Sequence, residues 1–116
     1  MINIKKREDL IYSRIGIYGI RNKVTGMTYI GQTGYNFGDR WDCHRSLLNN
    51  NKHRNRGLQD DWNKFGAENF EFVIIEECAA NDLISKEKFY IKHYIAEKLA
   101  YNVFDTGRPM AEETKR

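Results

Sequence analysis

Five side chains hold the chemistry open to this chain: Tyr18, Tyr29, Arg40, His44 and Glu87. A phenol can carry a proton or donate a hydrogen bond, and the two tyrosines sit on neighbouring apolar runs. Arg40 and His44 are four residues apart, which puts them on one face of a helix. Cleaving a phosphodiester requires a fixed cation to neutralise the pentavalent phosphate, and arginine's planar fork suits that task. It also requires a group of near-neutral pKa to orient or deprotonate water, and histidine meets that need. Glu87 interrupts an apolar helical stripe, three residues after Ile84 and four before Ile91. A carboxylate there costs desolvation unless something compensates it. Pairing with a lysine or reaching solvent is one answer, and oxygen ligation of a divalent metal is another. Taken singly, each feature also has a plain reading, such as tyrosines packing across a hairpin.

These residues need elements to position them. Gly16-Ile17-Tyr18 and Tyr29-Ile30-Gly31 lie in β-branched and aromatic runs separated by the turn-forming stretch 21–26. That pattern predicts a hairpin with strands near 15–20 and 27–32. Gly34, Asn36 and Gly38 mark a loop, and a helix begins at Asp39. Leu58, Trp62 and Phe65 give a second, short amphipathic helix stopped by Gly66. Phe70 to Ile75 reads as a central, well-buried strand. A longer helix opens at Asn81 or Asp82, either of which can cap it, with its stripe on Leu83, Ile84, Ile91, Tyr94 and Ile95. Tyr101 to Phe104 reads as a last strand. The order ββααβαβ describes a small α/β (α+β) sandwich with a mostly antiparallel sheet.

From Cys43 to Gln59 the chain has no acid, but it has His44, Arg45, Lys52, His53, Arg54, Arg56 and four asparagines. Such a segment is either a solvated loop or a surface for the phosphate backbone of DNA.

At 116 residues the chain has room for one core. A 13% aromatic content argues against disorder, and a net charge of +3 is too small to decide the partner, so charge placement matters more. No apolar run reaches membrane-spanning length and no secretory leader is evident, so a cytoplasmic protein without membrane association is expected. Cys43 and Cys78 lack metal-ligand spacing and read as free thiols.

Taken in order, Gly16-Ile17-Tyr18, Tyr29-Ile30-Gly31-Gln32-Thr33, Arg40, His44, Glu87-Lys88-Phe89-Tyr90-Ile91 and Tyr101-Asn102 resemble the GIY-YIG nuclease superfamily over roughly residues 15–106. His53 to Gly57, Leu58-Gln59 and Trp62 to Gly66 look closest to the phage and intron-encoded homing endonucleases. The resemblance implies a sandwich with a central three-stranded sheet flanked by helices, spanning 14–106. A lead-in (1–13) precedes it, and a linker (107–116) resembles the start of a DNA-binding region.

It also implies an endodeoxyribonuclease acting on double-stranded DNA, as a monomer or a transient dimer on the DNA, in a bacterial or phage-infected cell. Tyr18 would be the general base or a relay to it, with its pKa depressed by a neighbouring cation or metal-bound water. Tyr29 would position phosphate or water, Arg40 would stabilise the transition-state charge, and His44 would assist proton transfer. Glu87 would hold one Mg²⁺ or Mn²⁺, and Asn102 would keep the site's geometry. Arg45, Lys52, Arg54 and Arg56 would contact DNA. His53 would touch DNA or order the loop. Gly16 and Gly31 would leave room for a phosphate backbone. A non-catalytic nucleic-acid binding module of the same fold, or a restriction or repair nuclease, is the alternative.

Overall fold

The computed structural model describes residues 2–3 and 14–104. Most of the expected lead-in and the tail, with its resemblance to a DNA-binding motif, lie outside them. The hairpin forms as read: β2 (Gly16–Asn22) and β3 (Thr28–Thr33) pair antiparallel, with Tyr18 opposite Gly31. Strand β4 (Phe70–Glu77) joins the other side of β2, also antiparallel. The three long strands make the expected antiparallel core. Strand β2 is the middle one of these three, and β4 is an inner strand as well, because a further strand pairs with its outer side. Beyond β4 lies only a two-residue strand, β1 (Ile2–Asn3), which brings part of the lead-in into the sheet.

Alternation along the strands sends side chains to two faces. One face carries Tyr18, Ile20, Phe72 and Ile74, which pack with Phe37, Leu48, Leu58 and Trp62 from helices α1 (Phe37–Asn49) and α2 (Arg56–Phe65). The other carries Ile17 and Ile30, packed against Leu83, Tyr90, Ile91 and Tyr94 of helix α3 (Leu83–Ala96). The sheet is thus sandwiched between a helix pair and a single helix. No helix among the described residues is long and apolar enough to cross a membrane.

Local chemistry shifts several boundaries. Helix α1 starts two residues before Asp39, because the Asn36 side chain accepts the Asp39 N–H at 2.7 Å and serves as the cap. At α3 neither Asn81 nor Asp82 caps with its side chain; a 3₁₀ turn, Ala80–Asp82, leads into the helix instead. The buried stripe of α3 runs through Leu83, Tyr90, Ile91 and Tyr94, leaving Ile84 and Ile95 exposed. Residues Tyr101–Phe104 form a 3₁₀ turn and not a strand, although Ala100 just before it makes a parallel bridge to Thr28. Gly66 ends α2 with φ of 93°, as its glycine suggests. Both cysteines are free.

Candidate active site

The motif glycines make room for the protein itself. A Cβ on Gly31 would lie 2.4 Å from Tyr18 Oη, because the phenol crosses directly over this position. A Cβ on Gly16 would lie 2.1 Å from the Glu76 carbonyl oxygen, where the β2–β4 register shifts. Neither glycine is a vacancy for phosphate, contrary to the sequence expectation. Gly16 is a close approach of backbone to backbone, and Gly31 is a seat for the Tyr18 ring.

Tyr18 is almost wholly buried, and its hydroxyl is the meeting point of α1 and the sheet. His44 Nε2 lies 2.6 Å from Tyr18 Oη, and Arg40 Nε donates to the same oxygen at 3.2 Å. The i, i+4 spacing of Arg40 and His44 on α1 therefore converges both side chains on one atom. Burial raises the Tyr18 pKa above the ordinary phenol value; the nearby Tyr29 adds to this, and Arg40 only partly opposes it. The expected depression of this phenol is thus reversed, because desolvation outweighs one partly exposed guanidinium.

His44 is itself buried, and burial followed by the adjacent His53 and Arg40 lowers its pKa to about 3, so it is neutral at physiological pH. Its Nδ1 lies 2.8 Å from His53 Nε2. His53, for which the resemblance implies DNA contact or loop ordering, is buried against His44. Tyr29 packs edge-on to both imidazoles. Together Tyr29, Arg40, His44, Leu47, His53 and Arg54 line a cleft, with Arg54 exposed at its rim. A second cleft on the other side of Arg40 is lined by Gln32, Thr33, Tyr35, Asp39 and Cys43, among others.

The 50–55 loop is held by Gln59 and by asparagines that the composition marks only as part of a polar, basic segment. Gln59 accepts the His53 N–H and donates to the Leu48 carbonyl. Asn55 caps α2 through the Leu58 N–H and donates to the Tyr101 carbonyl. Asn49 accepts from the Trp62 indole, and Asn50 donates to the Ser46 carbonyl. Asparagines in this loop thus stabilise backbone that has no ladder partner. A signal was available in sequence, since Asn55 lies three residues before Leu58 at a helix start. Of the basic residues, Lys52, Arg54 and Arg56 are exposed, whereas Arg45 pairs with Asp42 at 3.2 Å and lies over the Trp41 ring.

Glu87 comes from the opposite face of the sheet, on α3. That helix is tied to the end of β4 by Tyr90, which donates to Glu76 at 2.6 Å, and by Lys86, which pairs with the same carboxylate at 2.8 Å. Glu87 is half-buried and, among the described residues, makes no hydrogen bond or ion pair. Burial raises its pKa, and the charge of Arg40 acts against that. A partly desolvated carboxylate without a direct partner suits a hard cation. No cluster of three or more His, Cys, Asp or Glu able to hold a metal exists among the described residues. One carboxylate oxygen donor fits Mg²⁺ or Mn²⁺, whose remaining positions water and a phosphate can fill, and does not fit a zinc site.

Asn102 grips the outer edge of β3. Its Oδ1 accepts the Ile30 N–H and its Nδ2 donates to the Ile30 carbonyl, both at 2.9 Å. This amide does the work of a neighbouring strand between Tyr29 and Gly31.

The profile of the GIY-YIG catalytic domain matches residues 14–100. The chain superposes on a point variant of the catalytic domain of intron endonuclease I-TevI with a TM-score of 0.70. Identity there is 32%, over 78% of this chain and 93% of that one. A structure of the catalytic domain of homing endonuclease I-TevI gives a TM-score of 0.70 at 29% identity, over 85% of this chain and all of that one. No curated protein matches the chain.

Proposed function

This chain belongs to the GIY-YIG nuclease family, and from that premise we propose that it is the catalytic domain of a divalent-metal-dependent DNA endonuclease of the homing or mobile-element type. The observation that carries the reading is the convergence of Arg40 and His44 on Tyr18 Oη, with the half-buried carboxylate of Glu87 close enough to couple electrostatically with both Tyr18 and Arg40.

In this reading the scissile phosphate lies over Arg40, whose exposed guanidinium keeps donors for it beyond the Nε bonded to Tyr18. Tyr18 holds a proton position beside the attacking water, and its hydroxyl is set by Arg40 and His44. Tyr29 braces the imidazoles and lines the cleft. Glu87 would hold a Mg²⁺ or Mn²⁺, which supplies charge stabilisation at the leaving oxygen. Lys52, Arg54 and Arg56 face solvent where a DNA backbone would run, with Arg45 partly committed to Asp42. With one compact site, a single copy cuts one strand at a time. Sequence selection falls to a separate DNA-binding region, and the cytoplasm of a bacterial or phage-infected cell is the setting.

The test is plasmid nicking by the wild-type chain and Glu87→Ala, each with Mg²⁺ and with EDTA. Metal-dependent nicking by the wild type, absent in the variant, is expected. Equal nicking by both would remove Glu87 from the metal site. DNA binding without nicking, on several plasmids and after fusion to an unrelated DNA-binding domain, would favour a non-catalytic binding module.

A further inference from the structure

Behind Tyr18 runs a chain of ring nitrogens whose proton positions are decided at its far end. The Asn55 backbone N–H donates to His53 Nδ1 at 3.0 Å. An amide N–H can only donate, so His53 Nδ1 is an acceptor and carries no proton. A neutral imidazole has one N–H, which for His53 must then be on Nε2. That N–H points at His44 Nδ1, 2.8 Å away, and makes it an acceptor in turn. The His44 proton is left on Nε2, 2.6 Å from Tyr18 Oη.

We infer that His53 is a positioning residue that fixes the proton of His44 on Nε2, so that Tyr18 Oη accepts hydrogen bonds from both His44 and Arg40. The opposite arrangement, with Tyr18 donating to His44 and His44 donating to His53, would put a proton on His53 Nδ1. Two N–H groups would then face each other at the Asn55 contact, in a buried place where neither can turn to water. The anchor is firm, because Asn55 is fully buried and the Gln59 side chain holds the His53 backbone N–H. Ring contacts reinforce the alignment: the two imidazoles stack with centroids 5.0 Å apart, and Tyr29 closes over both.

Two consequences follow for the proposed nuclease, and they rest on that reading. His44 is a donor to Tyr18 and is not the acceptor of its proton, since Nε2 is already occupied. Both lone pairs of Tyr18 Oη are engaged, so its own hydrogen is directed away from the relay.

The experiment is a long-range ¹H–¹⁵N correlation on the full chain with ¹⁵N-labelled histidine at neutral pH. The chain has three histidines, and exposed His93 is the internal reference. His44 and His53 are expected to show protonated Nε2 and unprotonated Nδ1. A His44 proton on Nδ1 in the wild type would overturn the inference without any variant. His53→Gln, whose amide can still donate to His44 Nδ1, retains the His44 tautomer; His53→Leu releases it to a mixture. An unchanged tautomer in a folded His53→Leu would also overturn it. For nicking, His53→Leu should lose roughly 10–100-fold in kcat with little change in KM, and His53→Gln should recover most of it. Tautomers as stated in a wild-type chain that never nicks DNA would count against the nuclease reading and leave the assignment standing.

Discussion

The Tyr18 phenol lies across Gly31, its register partner on β3, so closely that a Cβ at position 31 would sit 2.4 Å from the hydroxyl oxygen. The two tripeptides of the hairpin are therefore one device: the second string's glycine is what lets the first string's tyrosine reach Arg40 and His44. Gly31→Ala should displace the phenol and cost about 1–3 kcal/mol of stability through overpacking. Denaturant unfolding and plasmid nicking together check this. A Gly31→Ala protein of wild-type stability and activity would refute the relationship.

Glu87 predicts a trade between stability and metal binding. Its raised pKa means the folded state holds that proton more tightly than the unfolded chain does. This contribution to stability therefore falls as pH rises from the ordinary carboxylate range through the raised value. At neutral pH without metal, Glu87→Gln should melt at or above the wild-type temperature. Added Mg²⁺ should raise the melting temperature of the wild type and not that of the variant. Thermal melts with Mg²⁺ and with EDTA give the answer, independently of DNA cleavage.

His44 predicts the opposite pH sign. Its folded pKa, about 3, lies below the ordinary histidine value near 6.5. Between those values the unfolded chain binds more protons, so stability falls as the pH drops from 6.5 towards 3 and is complete above 6.5. Urea unfolding across this range should show a slope that His44→Asn reduces by up to one proton. An identical slope in the variant would mean that His44 titrates alike in both states.

The basic rim should be graded. Arg54→Ala and Arg56→Ala should each weaken DNA binding across sequences and lower the salt slope by about one counterion. Arg45→Ala should do less, because Asp42 and Trp41 already engage that guanidinium. Binding isotherms at several salt concentrations distinguish them; equal effects at all three positions would contradict the grading.

Asn102 should act on the strand and not on DNA. Asn102→Ala removes two hydrogen bonds to Ile30 at the sheet edge, so the Ile30 amide should lose hydrogen-exchange protection. Full protection in the variant would show that Ile30 does not depend on it.

Much of the fold was legible because its signals are local. β-branched and aromatic runs on either side of a turn point to the hairpin, an apolar run to β4, and apolar periodicity with Gly66 to α2. The misreadings share a cause. Ile84 and Ile95 look like core on a helical wheel, but α3 packs over the sheet on the face that holds Leu83 and Ile91. Tyr101 to Phe104 has strand composition, yet the outer edge of β3 is already engaged by the Ala100 bridge at Thr28 and by the Asn102 side-chain amide at Ile30, and the chain turns there without extending a ladder. Which face is buried, and who pairs with an edge, are properties of the neighbour.

By itself the sequence determined the residue types and their order: two tyrosines on a hairpin, Arg40 and His44 one helical turn apart, and a carboxylate on a helix. These follow from spacing, because strand and helix periods are set by backbone geometry. Only the tertiary structure decided what those groups are chemically. It buried Tyr18 so that its pKa rises, turned His53 from a loop residue into the partner of His44, and brought Glu87 around from the other face of the sheet. Proton positions and charge states depend on desolvation and on contacts between residues far apart in the chain, and those exist only once the layers have packed.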